Sequence, residues 1–155
     1  MLLTALRRSP EKFTHGREEG LDSRQMRRFH LWLGALLFVV FVLTGQYMDK
    51  VHAHLVGMPD GPRMLYRTRH IFILLTALLH LGIGAYVTAR ATRLLRACQW
   101  IGSALIALAG CFFIAGFFLE PLRQDLHVPL SSLGAFAALA GVALHVSSGR
   151  SEKTR

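Results

Sequence analysis

Carboxylates are the first scarcity in this 155-residue chain. Nine Asp and Glu stand against eighteen Lys and Arg, and charged residues of either sign make up only 17%. No second carboxylate, activated Ser or Cys, or phosphate-cradling glycine loop accompanies Glu120, which disfavours hydrolytic and nucleophilic chemistry. Glu120 instead reads as one half of an interfacial salt bridge with Arg123, Arg67 or Arg69. Cysteine is as scarce. Cys98 and Cys111 lie on one expected helix, about 20 Å apart along its axis, too far to bridge each other. No CxxC pair or zinc-type spacing occurs. What remains is apolar: 52% of residues are hydrophobic, too many for an ordinary soluble domain of this size, and the composition points to one compact membrane domain.

Four segments reach the roughly 20 apolar residues that cross a hydrocarbon core: 29–48, 68–89, 98–119 and 127–147. Each lacks strand-like alternation, and lipid demands internally satisfied backbone, so each is expected to be helical. The expected fold is all-α, an integral membrane four-helix bundle in up-down order, because the links TARATRLLR and EPLRQD are short. The long link DKVHAHLVGMPDGPRMLYRTR carries turn signals at Pro59, Asp60, Gly61 and Pro62. Residues 1–28 form a basic tail and 148–155 a short C-terminal one. The first 25 residues contain neither an apolar stretch nor a cleavage pattern, so the first span is expected to act as an uncleaved signal anchor.

Thirteen of the basic residues, including Arg27, Arg28, Arg90, Arg93 and Arg150, fall on the side of the two termini and five on the other. The positive-inside rule then places both termini in the cytoplasm of a bacterial-type inner membrane. The basic excess is thus mainly a topology signal. It fits anionic lipid headgroups and not nucleic acid, which would need a basic soluble face interleaved with stacking aromatics.

Without a hydrophobic drive between helices in lipid, small residues must let backbones approach. Ser103, Ala107, Cys111 and Ala115 form one such ladder. Ser131, Gly134, Ala138 and Gly141 form another, on the stripe that also carries His127 and His145. Histidines mark the span ends: His30 and His145 at the cytoplasmic edge, His70 and His127 at the outer edge. His80 falls near the expected midplane, where an ionisable residue faces the bundle. It is either hydrogen-bonded to Thr76, Thr44 or Gln46, or it serves as a ligand, quinone or proton group. Level pairs of imidazoles from different helices suit an axially ligated haem iron, and Gly34 and Gly141 beside them would leave room for a flat macrocycle.

With these residues the chain resembles the small four-helix di-haem cytochromes b of bacterial inner membranes, in which a late helix supplies a ligand to each of two haems. The resemblance implies haem b held by His30 with His145 and by His70 with His127, with His80 nearby. The eighteen residues between His127 and His145 span about 27 Å, which sets both rings at the membrane surfaces. Locally, FHLWLGALLFVVFVLTG is similar to the first span of PepSY-type membrane proteins. These features lead to a small membrane protein associated with b-haem or quinone electron transfer, working with a membrane redox partner.

Three other readings stay open. The interfacial His, Trp and Tyr residues are also what plain membrane anchors look like. The small-residue faces suit a non-catalytic subunit or assembly factor that binds partner helices. His52 and His54, with Met48, Met58 and Met64, collect imidazole and thioether groups that suit copper.

Overall fold

The computed structural model describes residues 11–88, 90, 92–122 and 128–150, with side chains from residue 23 to residue 148. The described residues form four helices and no strand: α1 (Glu11–Lys50), α2 (Asp60–Tyr86), α3 (Arg93–Leu119) and α4 (Pro129–Arg150). Four stretches within them, Ser23–Lys50, Asp60–Tyr86, Arg93–Leu119 and Pro129–Ser148, are long and apolar enough to cross a membrane.

Helices begin earlier than the apolar runs alone suggest. α1 is helical from Glu11, because the polar stretch ahead of the apolar run is rich in Glu, Arg and Gln and has no proline to stop it. α2 starts at Asp60 with Pro59 as its N-cap residue, so most of the long link is helix. Pro62 fits in the first turn, where its missing N–H would have had no intrahelical acceptor, and Asp60 suits the positive end of the helix dipole. Thr92 caps α3, its hydroxyl oxygen accepting the Leu95 N–H at 3.4 Å. Between α1 and α2 the chain turns through Ala53, His54 and Leu55, whose φ values of 46°, 58° and 62° are left-handed. Such backbone costs roughly 1–2 kcal/mol per residue. Burial of Leu55 and a 2.6 Å contact from His54 Nε2 to Asp49 hold it.

The interior is more polar than the surface. His30, Thr76, His80, Gln99, Ser103, Glu120 and Ser148 are all almost completely buried, whereas Leu36, Leu43, Phe136 and Leu139 are exposed. That inversion matches helices that pack through polar groups and turn apolar side chains outward.

Two hairpins make up the bundle: α1 packs along α2, α3 along α4, and α2 against α3. Within each hairpin glycines set the spacing. A Cβ on Gly34 would lie 2.9 Å from the Leu81 backbone nitrogen, and one on Gly84 would lie 3.0 Å from that of Leu31. In the second hairpin, a Cβ on Gly102 would meet the Gly141 carbonyl at 2.8 Å, and one on Gly134 would meet the Phe113 ring. On α4 the expected small face is buried at Ser131, Gly134 and Gly141. On α3 it is not the expected ladder. Cys111 is exposed, and the buried face runs through Gly102, Ser103, Ile106, Gly110, Phe113 and Gly116, because partners lie on two sides of this helix. Between the hairpins, Ile73, Ala109, Phe113 and Phe117 form the apolar core.

Far from the termini, Arg69 on α2 donates from Nε to Glu120 at 2.8 Å, and both side chains are buried. The other carboxylate oxygen accepts the Ser131 backbone N–H at 3.0 Å, and the Ser131 hydroxyl donates as well. Of the expected partners of Glu120, Arg69 pairs with it in a buried bridge joining α2, the end of α3 and α4, while Arg123 lies outside the described residues. Burial pushes the Glu120 carboxyl up, but the hydrogen bonds from Ser131 and Arg69 outweigh it and hold the group below the usual carboxylate range.

Two predictions follow from this packing. Gly34→Ala is expected to destabilise the bundle by about 1–3 kcal/mol through overpacking. Gly82→Ala, which meets nothing within 4 Å, should be neutral or stabilise by up to about 1 kcal/mol through helix propensity; unfolding in mixed micelles separates the two. Because its folded pKa is depressed, Glu120 contributes stability that is complete above the unfolded carboxylate value and is lost as pH falls through the folded one. Glu120→Gln should flatten that acid limb and cost about 3–5 kcal/mol at neutral pH, the cost of stranding the Arg69 guanidinium.

Candidate functional site: a histidine cluster around Ser103

At the end of the bundle that carries both termini, three helices bring imidazoles together. His30 lies seven residues inside the apolar stretch that begins at Ser23, and His80 lies six residues before the end of α2. Both sit about 10 Å in from the same end, and both are fully buried. His80 is thus level with His30 and not at the middle of its helix. Its partner is His30: the two Nδ1 atoms are 2.7 Å apart. None of the partners expected for His80 from sequence is used. Thr76 donates to its own helix at Phe72, and Thr44 donates to Phe41 and contacts His70.

His30 and His145 do meet, with ring centroids 5.7 Å apart, and Ser103 on α3 stands between them. Its hydroxyl lies 2.8 Å from His30 Nε2 and 3.1 Å from His145 Nε2, and it donates to the Gln99 carbonyl at 2.8 Å.

With the Ser103 hydrogen on the Gln99 carbonyl, one arrangement of hydrogens on neutral rings satisfies these contacts. A hydroxyl has one hydrogen and two lone pairs. With its hydrogen on the Gln99 carbonyl, the Ser103 oxygen accepts from both imidazoles, so His30 and His145 each carry hydrogen on Nε2. His30 Nδ1 is then a lone pair, and His80 Nδ1 must donate to it. In this arrangement His80 Nε2 is left with a lone pair, and like His52 Nε2 it is a buried ring nitrogen without a geometric hydrogen-bond partner. The backbone of Ile106 lies within hydrogen-bonding reach of this ring.

One side of the cluster opens. A cleft of about 300 Å³ is lined by Tyr86, Thr88, Arg90, Gln99 and His145. Gln99 builds its wall by donating to the Thr88 carbonyl at 3.0 Å and accepting the Arg90 N–H at 3.2 Å, which fastens the α2–α3 link to α3. On another side Phe29 closes the cluster, its ring edge-on to His30 and His80 at 5.3 and 6.2 Å.

Sequence reasoning missed Gln99, Phe29 and the hydroxyl role of Ser103. Its available signal was two polar residues one turn apart, Gln99 and Ser103, entering an otherwise apolar helix.

The other expected sites are placed differently. His70 stacks on Phe41 at 4.1 Å, and its Nδ1 lies 2.9 Å from the Thr44 hydroxyl; His127, its expected partner, lies outside the described residues. His52 packs between the Tyr47 and Tyr66 rings, whereas the His54 side chain is 78% exposed and paired to Asp49. Met48 and Met58 pack against the core and Met64 is exposed. The His52-x-His54 turn therefore does not gather the copper-type ligands. Among the described residues no group of three or more His, Cys, Asp or Glu is arranged to hold a metal ion.

Haem does not fit the His30–His145 layer in this packing. An iron between two imidazoles needs the width of a macrocycle around it, but both Nε2 atoms converge on one hydroxyl oxygen. The space beside the rings that Gly34 and Gly141 were expected to leave is taken by Leu81, and by Gly102 and Ile106. These glycines serve helix approach.

The hydrogen assignment is testable by 15N NMR of ring-labelled protein in bilayers: His80 should be the tautomer with hydrogen on Nδ1, and His30 and His145 those with hydrogen on Nε2. Ser103→Ala should strand two buried N–H groups and destabilise by about 1–3 kcal/mol for each, read by unfolding in mixed micelles, with the tautomer pattern of His30 and His145 lost. Comparison of the chain with protein-family models, with curated proteins and with solved structures finds no match.

Proposed function

We propose that the chain is a multi-pass protein of a bacterial-type inner membrane, with both termini cytoplasmic, that binds a quinol headgroup in the His145 cleft and takes up protons there as a membrane redox partner takes the electrons. The observation that carries this reading is the continuous hydrogen-bonded set His145–Ser103–His30–His80, which joins an open cleft to a buried ring. Pockets that combine apolar walls with a few convergent polar groups are the usual small-molecule sites. This one adds an imidazole already oriented by a second-layer hydroxyl. The excess of basic residues on the terminal side supports the orientation.

The chemistry follows from the tautomers. With Nε2–H given to Ser103, His145 keeps Nδ1 as an acceptor, which matches the O–H of a quinol and not the carbonyl of a quinone. Oxidation releases two electrons and two protons. The electrons leave to the redox partner, His145 Nδ1 takes one proton, and water at the cleft mouth takes the other. Ser103 holds the resulting imidazolium in place, and His80 Nε2 is a further buried acceptor within the cluster. Neutral imidazole suits this work because one ring nitrogen can accept a proton while the other keeps its hydrogen bond.

The test uses purified full-length protein in nanodiscs titrated with a short-tailed benzoquinol. Saturable binding is expected. His145→Ala should weaken it about tenfold, the loss of one hydrogen bond of about 1.4 kcal/mol, while Leu133→Ala on the exposed face should leave it unchanged. Oxidised and reduced absorption spectra are recorded on the same sample. A b-type haem band would replace this reading with the cytochrome one. A colourless protein that binds no quinol would leave the role of a partner-helix subunit.

A further inference from the structure

We infer that α1 carries a binding site for the headgroup of an anionic phospholipid, just outside the histidine cluster. This rests on the membrane reading above but not on the quinol one. A surface groove of about 660 Å³ is lined by Arg24, Gln25, Arg28, Phe29 and Trp32. Arg24, Arg28 and Trp32 follow one another at four-residue steps, so they stand on one face of the helix, at the start of its apolar stretch at Ser23. Both arginines are exposed, and no carboxylate among the described side chains is paired with either.

The face continues inward as a change of polarity. Trp32 is 77% exposed, and Leu36, one turn further, is 58% exposed, followed by Val39 and Leu43. Two guanidiniums at the interface, an amide beside them, an indole below and then a bare aliphatic track reproduce the order of groups along a glycerophospholipid: phosphate, glycerol ester, acyl chain. Arginine forks match phosphate geometry, and indole prefers the interfacial layer. The charge of the groove selects an anionic headgroup over a zwitterionic one.

The back wall gives the site a second consequence. Phe29 faces the groove and also packs edge-on to His30 and His80, and at 5.9 Å on Trp100. A lipid seated in the groove therefore covers the ring that separates the buried imidazoles from the exterior.

The experiment uses the full chain in dodecyl maltoside micelles, titrated with dioleoyl phosphatidylglycerol or dioleoyl phosphatidylcholine and followed by tryptophan emission. A saturable change with phosphatidylglycerol and little with phosphatidylcholine is expected. The double variant Arg24→Gln with Arg28→Gln should weaken the apparent affinity about thirtyfold, from roughly 1 kcal/mol per arginine. Arg24→Lys with Arg28→Lys should keep most of the binding, and Arg93→Gln, which removes a charge elsewhere at the same end, should leave it unchanged. Equal loss in Arg93→Gln would show diffuse attraction and overturn the site. So would unchanged affinity in the double Gln variant, or the same emission change with inorganic phosphate alone. Failure of the quinol titration leaves all of these outcomes readable.

Discussion

One hydroxyl organises the terminal end of this bundle. Ser103 has a single hydrogen to give and two lone pairs to fill, and it spends them on its own helix at Gln99 and on imidazoles from α1 and α4. Ser103 and His30 are fully buried, so each must be satisfied by another protein group. That requirement couples the tautomers of the three rings, because changing the hydrogen on one ring alone would set two donors or two lone pairs against each other. Through His30 the constraint reaches α2, so a hydroxyl on α3 helps to position all four helices.

The same logic divides labour across the molecule. Within each hairpin the contacts are steric: Gly34 against Leu81 and Gly84 against Leu31 in one, Gly102 against Gly141 and Gly134 against Phe113 in the other. Between hairpins the ties that carry direction are polar, with His30–Ser103–His145 at one end and Arg69–Glu120–Ser131 at the other. Steric fit alone lets two smooth hairpins slide or rotate past one another, since apolar contact carries no direction. Directional hydrogen bonds at both ends fix register. The apolar core of Ile73, Ala109, Phe113 and Phe117 fills the space between.

Four apolar helices were legible in the sequence because length and hydropathy suffice for that, and so was the α4 face, since Ser131, Gly134 and Gly141 recur at helical spacing. Helix starts were less legible: Pro59 and Pro62 look like loop residues until one notices that a first turn tolerates them. The α3 ladder was misread because a helix flanked on two sides buries two stripes, and spacing on one stripe cannot show which stripes face neighbours. The histidines were found individually, but depth counted from approximate span ends put His30 at the edge and His80 at the middle. An error of six residues at one end of α1 was enough to hide that they share a layer. Arg69 was named among the candidates for Glu120, yet only coordinates choose between Arg67 and Arg69 on one helix.

The two polar ties differ in kind, and the difference bears on function. At the far end a fixed positive charge meets a fixed negative one, and Ser131 completes the carboxylate with two hydrogen bonds; nothing there has room for a further proton without breaking the bridge. At the terminal end the members are neutral in the arrangement above, and two ring nitrogens keep lone pairs, His145 Nδ1 toward the cleft and the buried His80 Nε2. A bundle that needed only register would gain by filling or removing that nitrogen, because a buried polar atom without a partner is costly. An imidazole at that position keeps a place for one more hydrogen with the Ile106 backbone beside it. That nitrogen belongs to the same hydrogen-bonded cluster as His145, which lines the cleft beside the α2–α3 link.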